Sequence, residues 1–154
     1  MTTRFQSKIS PSLWLDGKAI EAAEFYTSLF PNSRIISKTK FTTGPAEGSG
    51  LAEFELEGQT FTAFDGIPAY EFTPAISLVI ACDSQEEIDH FWNGFSEGGV
   101  PIQSGWIKDR FGVHWQVIPA ELLDLLAKAP TAVMEEMLTM GKIELDRLRA
   151  ASVA

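Results

Sequence analysis

The sequence predicts an α+β protein of two βαβββ modules, residues 7–66 and 74–119, followed by a C-terminal helical extension at residues 120–151. Two observations lead to this prediction. The order strand, helix, strand, strand, strand occurs twice along the chain, and the pattern after Pro119 changes to that of helices. The repeat indicates a pseudo-symmetric pair of curved half-barrel sheets within a single domain of residues 1–154.

The first module starts with the apolar run "KISPSLWL", which predicts a strand that ends at the turn Asp16-Gly17. In "KAIEAAEFYTSLF", apolar residues recur at helical spacing until Pro31 ends the helix. The β-branched "SRIISKTKF" predicts the next strand, and a Gly/Pro/Ser loop follows it. "LAEFELEG" alternates Leu51, Glu53 and Glu55 against apolar residues, and "TFTAFDG" is its hairpin partner.

The second module repeats this order. "PAISLVIAC" predicts an apolar strand, and Ser84 and Glu87 are spaced as a capping box at the start of a helix that ends at Gly98-Gly99. After the short strand "VPIQS", the stretch "GWIKDRFGVHWQVIP" predicts two strands joined by a tight turn. Aspartate is a common first residue of turns, so we expect Asp109 to be structural.

The C-terminal segments "AELLDLLAKAP", "TAVMEEMLTMG" and "KIELDRLRAAS" are helical in pattern. Their apolar residues are Leu122, Leu125, Leu126, Met134, Met137, Met140, Leu145 and Leu148. We expect this surface to pack on a sheet or on a partner subunit, and therefore predict a homodimer to whose interface the extension contributes.

Composition excludes several classes of protein. Twelve basic against 21 acidic residues give a net charge of −9, and no Lys/Arg cluster offers the basic surface that nucleic-acid binding needs. No apolar run approaches the length of a membrane span, and the N-terminus has no apolar core of signal-peptide length. The single cysteine, Cys82, excludes an intrachain disulfide, and we expect it to be an inert buried thiol in a cytoplasmic protein.

Four segments carry a family resemblance: "SLWLDGKAIEAAEFYTSLFPNS", "EEIDHFWNGFSEGG", "GWIKDRFGVHWQVIP" and "MLTMGKIELDRLRAA". They resemble the PhnB-like group of the vicinal-oxygen-chelate superfamily, which includes glyoxalase I, ring-cleaving dioxygenases and bleomycin-resistance proteins. The resemblance covers about residues 7–150 and implies βαβββ modules that pair within one chain or between two. The group often carries the name 3-demethylubiquinone-9 3-methyltransferase. No glycine-rich turn between a strand and a helix supports methyl transfer in this chain.

The resemblance also implies where a metal would be held, because metal-dependent members take ligands from the first and last strands of each module. The residues at those positions here are Ser12, Trp14, Ala63, Phe64, Ile76, Ser77 and Gln116. Mononuclear catalytic sites usually need three protein ligands, and only Gln116 is a candidate with His114 near it. The sequence therefore predicts neither a metal nor another cofactor.

The candidate site residues are Trp14, Phe64, His114 and Gln116, which we expect to line the concave side of the barrel. Strand alternation gives His114 and Gln116 one face and Trp115 the opposite one, under a helix. Two roles for His114 remain open: an acid or base, or a neutral side chain that the backbone or Gln116 satisfies.

Three functions follow from these residues. The first is metal-free binding of a small organic molecule, for which the aromatic side chains suit a planar ligand. The second is an enzyme acting on a small organic substrate with His114 as acid or base. The third is a dimerisation or regulatory module without a ligand of its own.

Overall fold

The computed structural model describes residues 4–154. The chain forms two compact units, Met1–Glu71 and Phe72–Ala154. Each unit contains one four-stranded mixed sheet, and the edge strands of each sheet do not pair with one another. The predicted α+β class with two βαβββ modules and C-terminal helices is confirmed.

The first unit has the element order β1 (Ser12–Leu15), α1 (Ala19–Leu29), β2 (Ser33–Lys40), β3 (Gly50–Leu56) and β4 (Gln59–Asp65). Its sheet has the strand order β1-β4-β3-β2, in which β1 and β4 are parallel and the other pairs are antiparallel. Strand β2 carries a register shift between Ile35 and Ser37. This irregularity decides which side chains of β2 and β3 face each other.

Helix α1 covers one face of this sheet. Tyr26 of α1 is fully buried and stacks on Phe54 of β3, with ring centroids 6.0 Å apart. The alternation of β3 confirms the predicted pattern, since Ala52, Phe54 and Leu56 are buried in the core. Leu51, Glu53 and Glu55 therefore point to the other side, which we call the open face of the first sheet.

The second unit repeats the arrangement with β5 (Leu78–Cys82), α2 (Gln85–Ser96), β6 (Val100–Pro101), β7 (Trp106–Lys108) and β8 (His114–Pro119). Its strand order is β5-β8-β7-β6, with β5 and β8 parallel. The predicted helix cap is confirmed, because the Ser84 side chain accepts a hydrogen bond from the Glu87 backbone N–H at 3.1 Å. The Glu87 carboxylate in turn accepts one from the Asp83 N–H at 2.9 Å.

The turn between β7 and β8 is organised by Asp109, which is only 3% exposed. Its Oδ1 accepts hydrogen bonds from the backbone N–H groups of Phe111 (2.8 Å) and Val113 (3.0 Å). Its Oδ2 accepts one from the indole N–H of Trp115 at 2.8 Å. Trp115 also stacks on Phe95 of α2, with ring centroids 4.7 Å apart. The expectations of a structural Asp109 and a core Trp115 thus agree with the structure.

The extension forms α3 (Leu122–Lys128), α4 (Pro130–Met137) and α5 (Leu145–Ser152). It is tied to α2 by Gln85, whose amide donates to the Ile143 carbonyl at 2.9 Å and accepts from the Leu145 N–H at 2.8 Å. Among residues 4–154, no helix is long and apolar enough to cross a bilayer.

The apolar residues of the extension are largely buried within the chain itself. The buried ones are Leu122, Leu125, Met137, Met140, Leu145 and Leu148. Of the eight apolar residues from which a partner surface was predicted, only Met134 is exposed, at 44%, so the surface left for a partner is smaller than the sequence suggested. The homodimer stays a prediction: light scattering at micromolar concentration should give twice the 17.0 kDa chain mass. A single-chain mass at high concentration would contradict it.

Candidate functional site

Two of the four predicted site residues, Trp14 and Phe64, are neighbours in the first unit. They are paired across β1 and β4, and their ring centroids lie 4.8 Å apart in an edge-to-face arrangement. Tyr70 also contacts Trp14 in an edge-to-face arrangement, with ring centroids 5.1 Å apart. The Trp14 indole N–H donates a hydrogen bond to the Ile67 carbonyl at 2.8 Å. A Cβ on Gly66 would lie 2.2 Å from the Trp14 ring, so this position needs glycine.

A cavity of about 410 Å³ lies on the open face beside this aromatic pair. Its lining residues are Arg4, Phe5, Ser12, Ser37, Leu51, Glu53, Thr62 and Phe64. The volume is within the range of small-molecule sites. Phe64 is therefore a predicted site residue that the structure places in a cavity wall.

The cross-strand register arranges the open face in parallel rows. We call Leu51, Phe64 and Trp14 the aromatic row, since each is paired with the next across β3, β4 and β1. The neighbouring polar row consists of Ser37, Glu53, Thr62 and Ser12, paired in the same way from β2 to β1. An apolar strip thus runs beside a strip of hydroxyl groups with one carboxylate among them.

Glu53 is a residue of this site that was not predicted from the sequence. It is 8% exposed, and within residues 4–154 its carboxylate has no hydrogen bond or ion pair. Alternation in "LAEFELEG" indicated that Glu53 lies opposite the core face, but not what faces it. That depends on the irregularity in β2, which sets Ser37 rather than Ile36 across from Glu53.

The other two predicted residues, His114 and Gln116, lie on β8 in the second unit. They share the face opposite Trp115, as alternation predicted. The Gln116 amide donates to the Ser77 hydroxyl at 2.9 Å and is not the partner of His114. His114 is 6% exposed, and its Nδ1 is buried without a hydrogen-bond partner in the part of the chain that the structure describes.

The residues present do not fit a divalent metal ion. In the first unit the family ligand positions hold Trp14 and Phe64, which pack on each other. In the second unit Gln116 and Ser77 are bonded to each other. Across residues 4–154, no three His, Cys, Asp or Glu side chains are grouped so that they could hold a metal.

We predict that the purified protein carries no stoichiometric zinc, nickel, iron or manganese. Elemental analysis after extensive dialysis measures this directly. About one ion per chain would contradict the prediction, and Gln116 and His114 would then be the first ligands to replace.

Cys82 is buried at 1% exposure, at the end of β5. Burial, followed by the negative charges of Glu87 and Asp83, raises the pKa of its thiol from 9.0 to about 12. Because only the thiolate reacts, this cysteine is protected from alkylation in the folded protein.

Iodoacetamide at about pH 8 should leave Cys82 unmodified in the folded protein and alkylate it fully in denaturant. Rapid alkylation of the folded protein would show that the thiol is accessible.

The raised pKa also means that the thiol stabilises the fold below pH 9.0 and that this contribution is lost as the pH rises toward about 12. Unfolding of the wild type and of Cys82→Ala over this pH range measures the difference in the free energy of unfolding.

A larger cleft of about 540 Å³ lies in the second unit, near α2 and α5. Its cations are already paired within the chain. Lys142 Nζ lies 2.8 Å from the Asp89 carboxylate, and Arg147 contacts Glu144 at 2.6 Å. The hydrogen bonds from Lys142 and Gln85 lower the pKa of Asp89. Because its charged groups satisfy one another, this cleft is a weaker ligand site than the cavity of the first unit.

Comparisons with known proteins agree with this fold. The family model for 3-demethylubiquinone-9 3-methyltransferase matches residues 7–118. A Bacillus cereus structure that carries the names 3-demethylubiquinone-9 3-methyltransferase and PhnB protein is 38% identical, covers 73% of this chain and 98% of its own, and has a TM-score of 0.68. No curated protein matches the chain.

More distant structures share the fold alone. Protein PA1353 from Pseudomonas aeruginosa is 22% identical over 74% of this chain and 97% of its own, with a TM-score of 0.58. The fosfomycin resistance protein FosX from Listeria monocytogenes, solved with Mn(II) and sulfate, is 15% identical over 73% of this chain and 90% of its own, with a TM-score of 0.55.

The predicted resemblance is confirmed: the chain belongs to the PhnB-like family named for 3-demethylubiquinone-9 3-methyltransferase, in the vicinal-oxygen-chelate superfamily.

Proposed function

We propose that the protein binds a small organic molecule with a planar apolar group, without a metal, in the cavity of the first unit. The observation that carries the proposal is that Leu51 and Phe64 of the aromatic row lie next to the polar row in a cavity of about 410 Å³. Leu51 and Phe64 supply apolar walls, and the hydroxyl groups orient a ligand. The protein is proposed to act in the cytoplasm, with no nucleic-acid partner.

Binding would bury apolar side chains of the cavity that are exposed to water in the free protein. Phe5 is 69% exposed and Leu51 is 37% exposed, and both line the cavity. A planar ligand that covers them removes this surface from water at roughly 25 cal/mol per Å². Phe64 presents an aromatic side chain that Trp14 holds in place from the other side.

Methyl transfer has less support from the structure than binding. The common class of S-adenosylmethionine enzymes uses a doubly wound parallel sheet with a glycine-rich first turn. Both sheets here are four-stranded and mixed, with β1 and β4 as the parallel pair of the first and β5 and β8 as that of the second. We therefore take the methyltransferase name as the name of the family and not as the activity.

The test is a calorimetric titration with 2-naphthalenemethanol, a neutral planar probe. For a ligand of this size we expect a Kd on the order of 0.1–1 mM. Phe64→Ala should weaken binding about tenfold, because it removes an apolar wall. Leu123→Ala is the control, since Leu123 is 79% exposed on α3 in the second unit. Equal affinities for the two variants, or no binding to the wild type, would contradict the proposal.

The second candidate is an enzyme with His114 as acid or base. It is favoured by the buried Nδ1 of His114, which has no partner among the described residues. A substrate would have to reach a side chain that is only 6% exposed, so we rank it second. Mass spectrometry separates the two functions: a binding protein returns its ligand unchanged, whereas an enzyme converts it and loses conversion in His114→Gln.

A further inference from the structure

We infer that the ligand of the first unit carries a protonated amine, and that Glu53 is the residue that selects it. This inference rests on the proposed binding function and adds the chemical class of the ligand. The structural basis is a carboxylate in a cavity wall that has no hydrogen bond or ion pair with any other group of residues 4–154.

The burial of Glu53 distinguishes it from an ordinary surface acid. The residue is 8% exposed, so its carboxylate is surrounded by less water than that of an ordinary surface acid, and a bound opposite charge can replace the hydration that it has lost. Its cross-strand neighbours, Ser37 and Thr62, carry hydroxyl groups and no charge. Within residues 4–154 no cation lies within ion-pair distance of it, although Arg4 lines the same cavity. A bound cation would supply the missing partner.

Glu55, on the same strand, is an acidic residue that forms an ion pair within the protein. It lies on the open face two residues after Glu53, but its cross-strand neighbour on β2 is Arg34. The Arg34 Nε and the Glu55 carboxylate lie 3.6 Å apart. The open face therefore pairs one of its two β3 carboxylates internally and turns the other toward the cavity.

The polar row also offers the hydrogen-bond acceptors that an ammonium group needs, because such a group has three N–H donors and no acceptor. The Glu53 carboxylate accepts one of these donors, with a charge-assisted bond. The hydroxyl oxygens of Thr62 and Ser37, on either side of Glu53, are available as acceptors for the others. The apolar part of the ligand then lies along the aromatic row, next to Leu51 and Phe64. A planar amine thus complements both rows at once.

The experiment compares probes that share one ring and differ in charge: 2-naphthylmethylamine, 2-naphthalenemethanol and 2-naphthoate. We expect the amine to bind about tenfold more tightly than the alcohol, and the naphthoate to bind weakest. Glu53→Gln, which keeps the size of the side chain, should make the amine and the alcohol equal. Glu55→Gln is the matched control and should keep the wild-type ranking, because Glu55 is paired with Arg34.

Each other outcome has a defined meaning. If the alcohol binds and the amine binds no better, the amine inference is wrong and the binding function stands. If no probe binds, both are wrong. If Glu55→Gln removes the preference as well, the selectivity comes from the overall charge of −9 and not from Glu53. If Glu53→Gln changes the mass in light scattering, the carboxylate serves contact with a second copy, which would also overturn the inference.

The wild-type ranking does not depend on the folding of any variant. Repeating it in about 0.5 M salt separates general attraction from local recognition, because screening weakens long-range attraction more than a contact in a cavity. A preference for the amine that vanishes in salt would contradict the role of Glu53.

Discussion

An Asp109→Ala variant is expected to lose about 3–5 kcal/mol of unfolding free energy, because a buried donor left unsatisfied costs about 1–3 kcal/mol. The substitution removes the acceptor of the Phe111 and Val113 backbone N–H groups and of the Trp115 indole. Trp115 is 2% exposed, so water cannot replace the lost oxygen at its N–H. Urea denaturation followed by circular dichroism measures the loss.

The control for this variant is Asp83→Ala, at an exposed aspartate whose side chain caps no helix. A double-mutant cycle with Trp115→Phe isolates the indole bond, since the loss at Asp109 should be smaller once its indole donor is gone. A loss below about 1 kcal/mol in Asp109→Ala would show that these bonds are not what holds the hairpin.

Gly99→Ala is the second substitution with a large expected effect, a loss of about 3 kcal/mol from overpacking against rigid groups. A Cβ at this position would lie 2.3 Å from the Phe95 carbonyl oxygen and 2.6 Å from that of Lys108. Both are backbone atoms, so α2 and β7 would have to move apart. Thermal unfolding by circular dichroism or calorimetry measures the loss.

Gly141→Ala is the matched control, because an added Cβ there would have its nearest heavy atom at 3.7 Å, an ordinary contact. It should change stability by less than about 1 kcal/mol. Equal stability of Gly99→Ala and Gly141→Ala would contradict the close approach of α2 and β7 at Gly99.

The fold was predictable because its elements follow local patterns. The alternation of β3, the Ser84 cap and the hairpin at Asp109 each depend on residues that are near in sequence. Trp115 could be assigned to the core for the same reason, since strand alternation fixes its face. The burial of the C-terminal apolar residues was not predictable, because it depends on how α3, α4 and α5 pack.

The site was predictable only in part. Trp14 and Phe64 were chosen from family positions, and the structure pairs them at 4.8 Å. Whether Gln116 would satisfy His114 could not be decided from spacing, and the structure gives Gln116 a different partner, Ser77. Glu53 was missed because its environment depends on the register between β2 and β3, which an irregularity sets.

Amide chemical-shift mapping tests ligand binding on the open face most directly. A ¹H–¹⁵N correlation spectrum of labelled protein is followed while 2-naphthalenemethanol is added to saturation. We predict that the largest shifts lie in β3 and β4, at Leu51, Glu53, Thr62 and Phe64, which line the cavity. Shifts confined to Phe72–Ala154, or a spectrum that does not change, would contradict a ligand site on the first sheet.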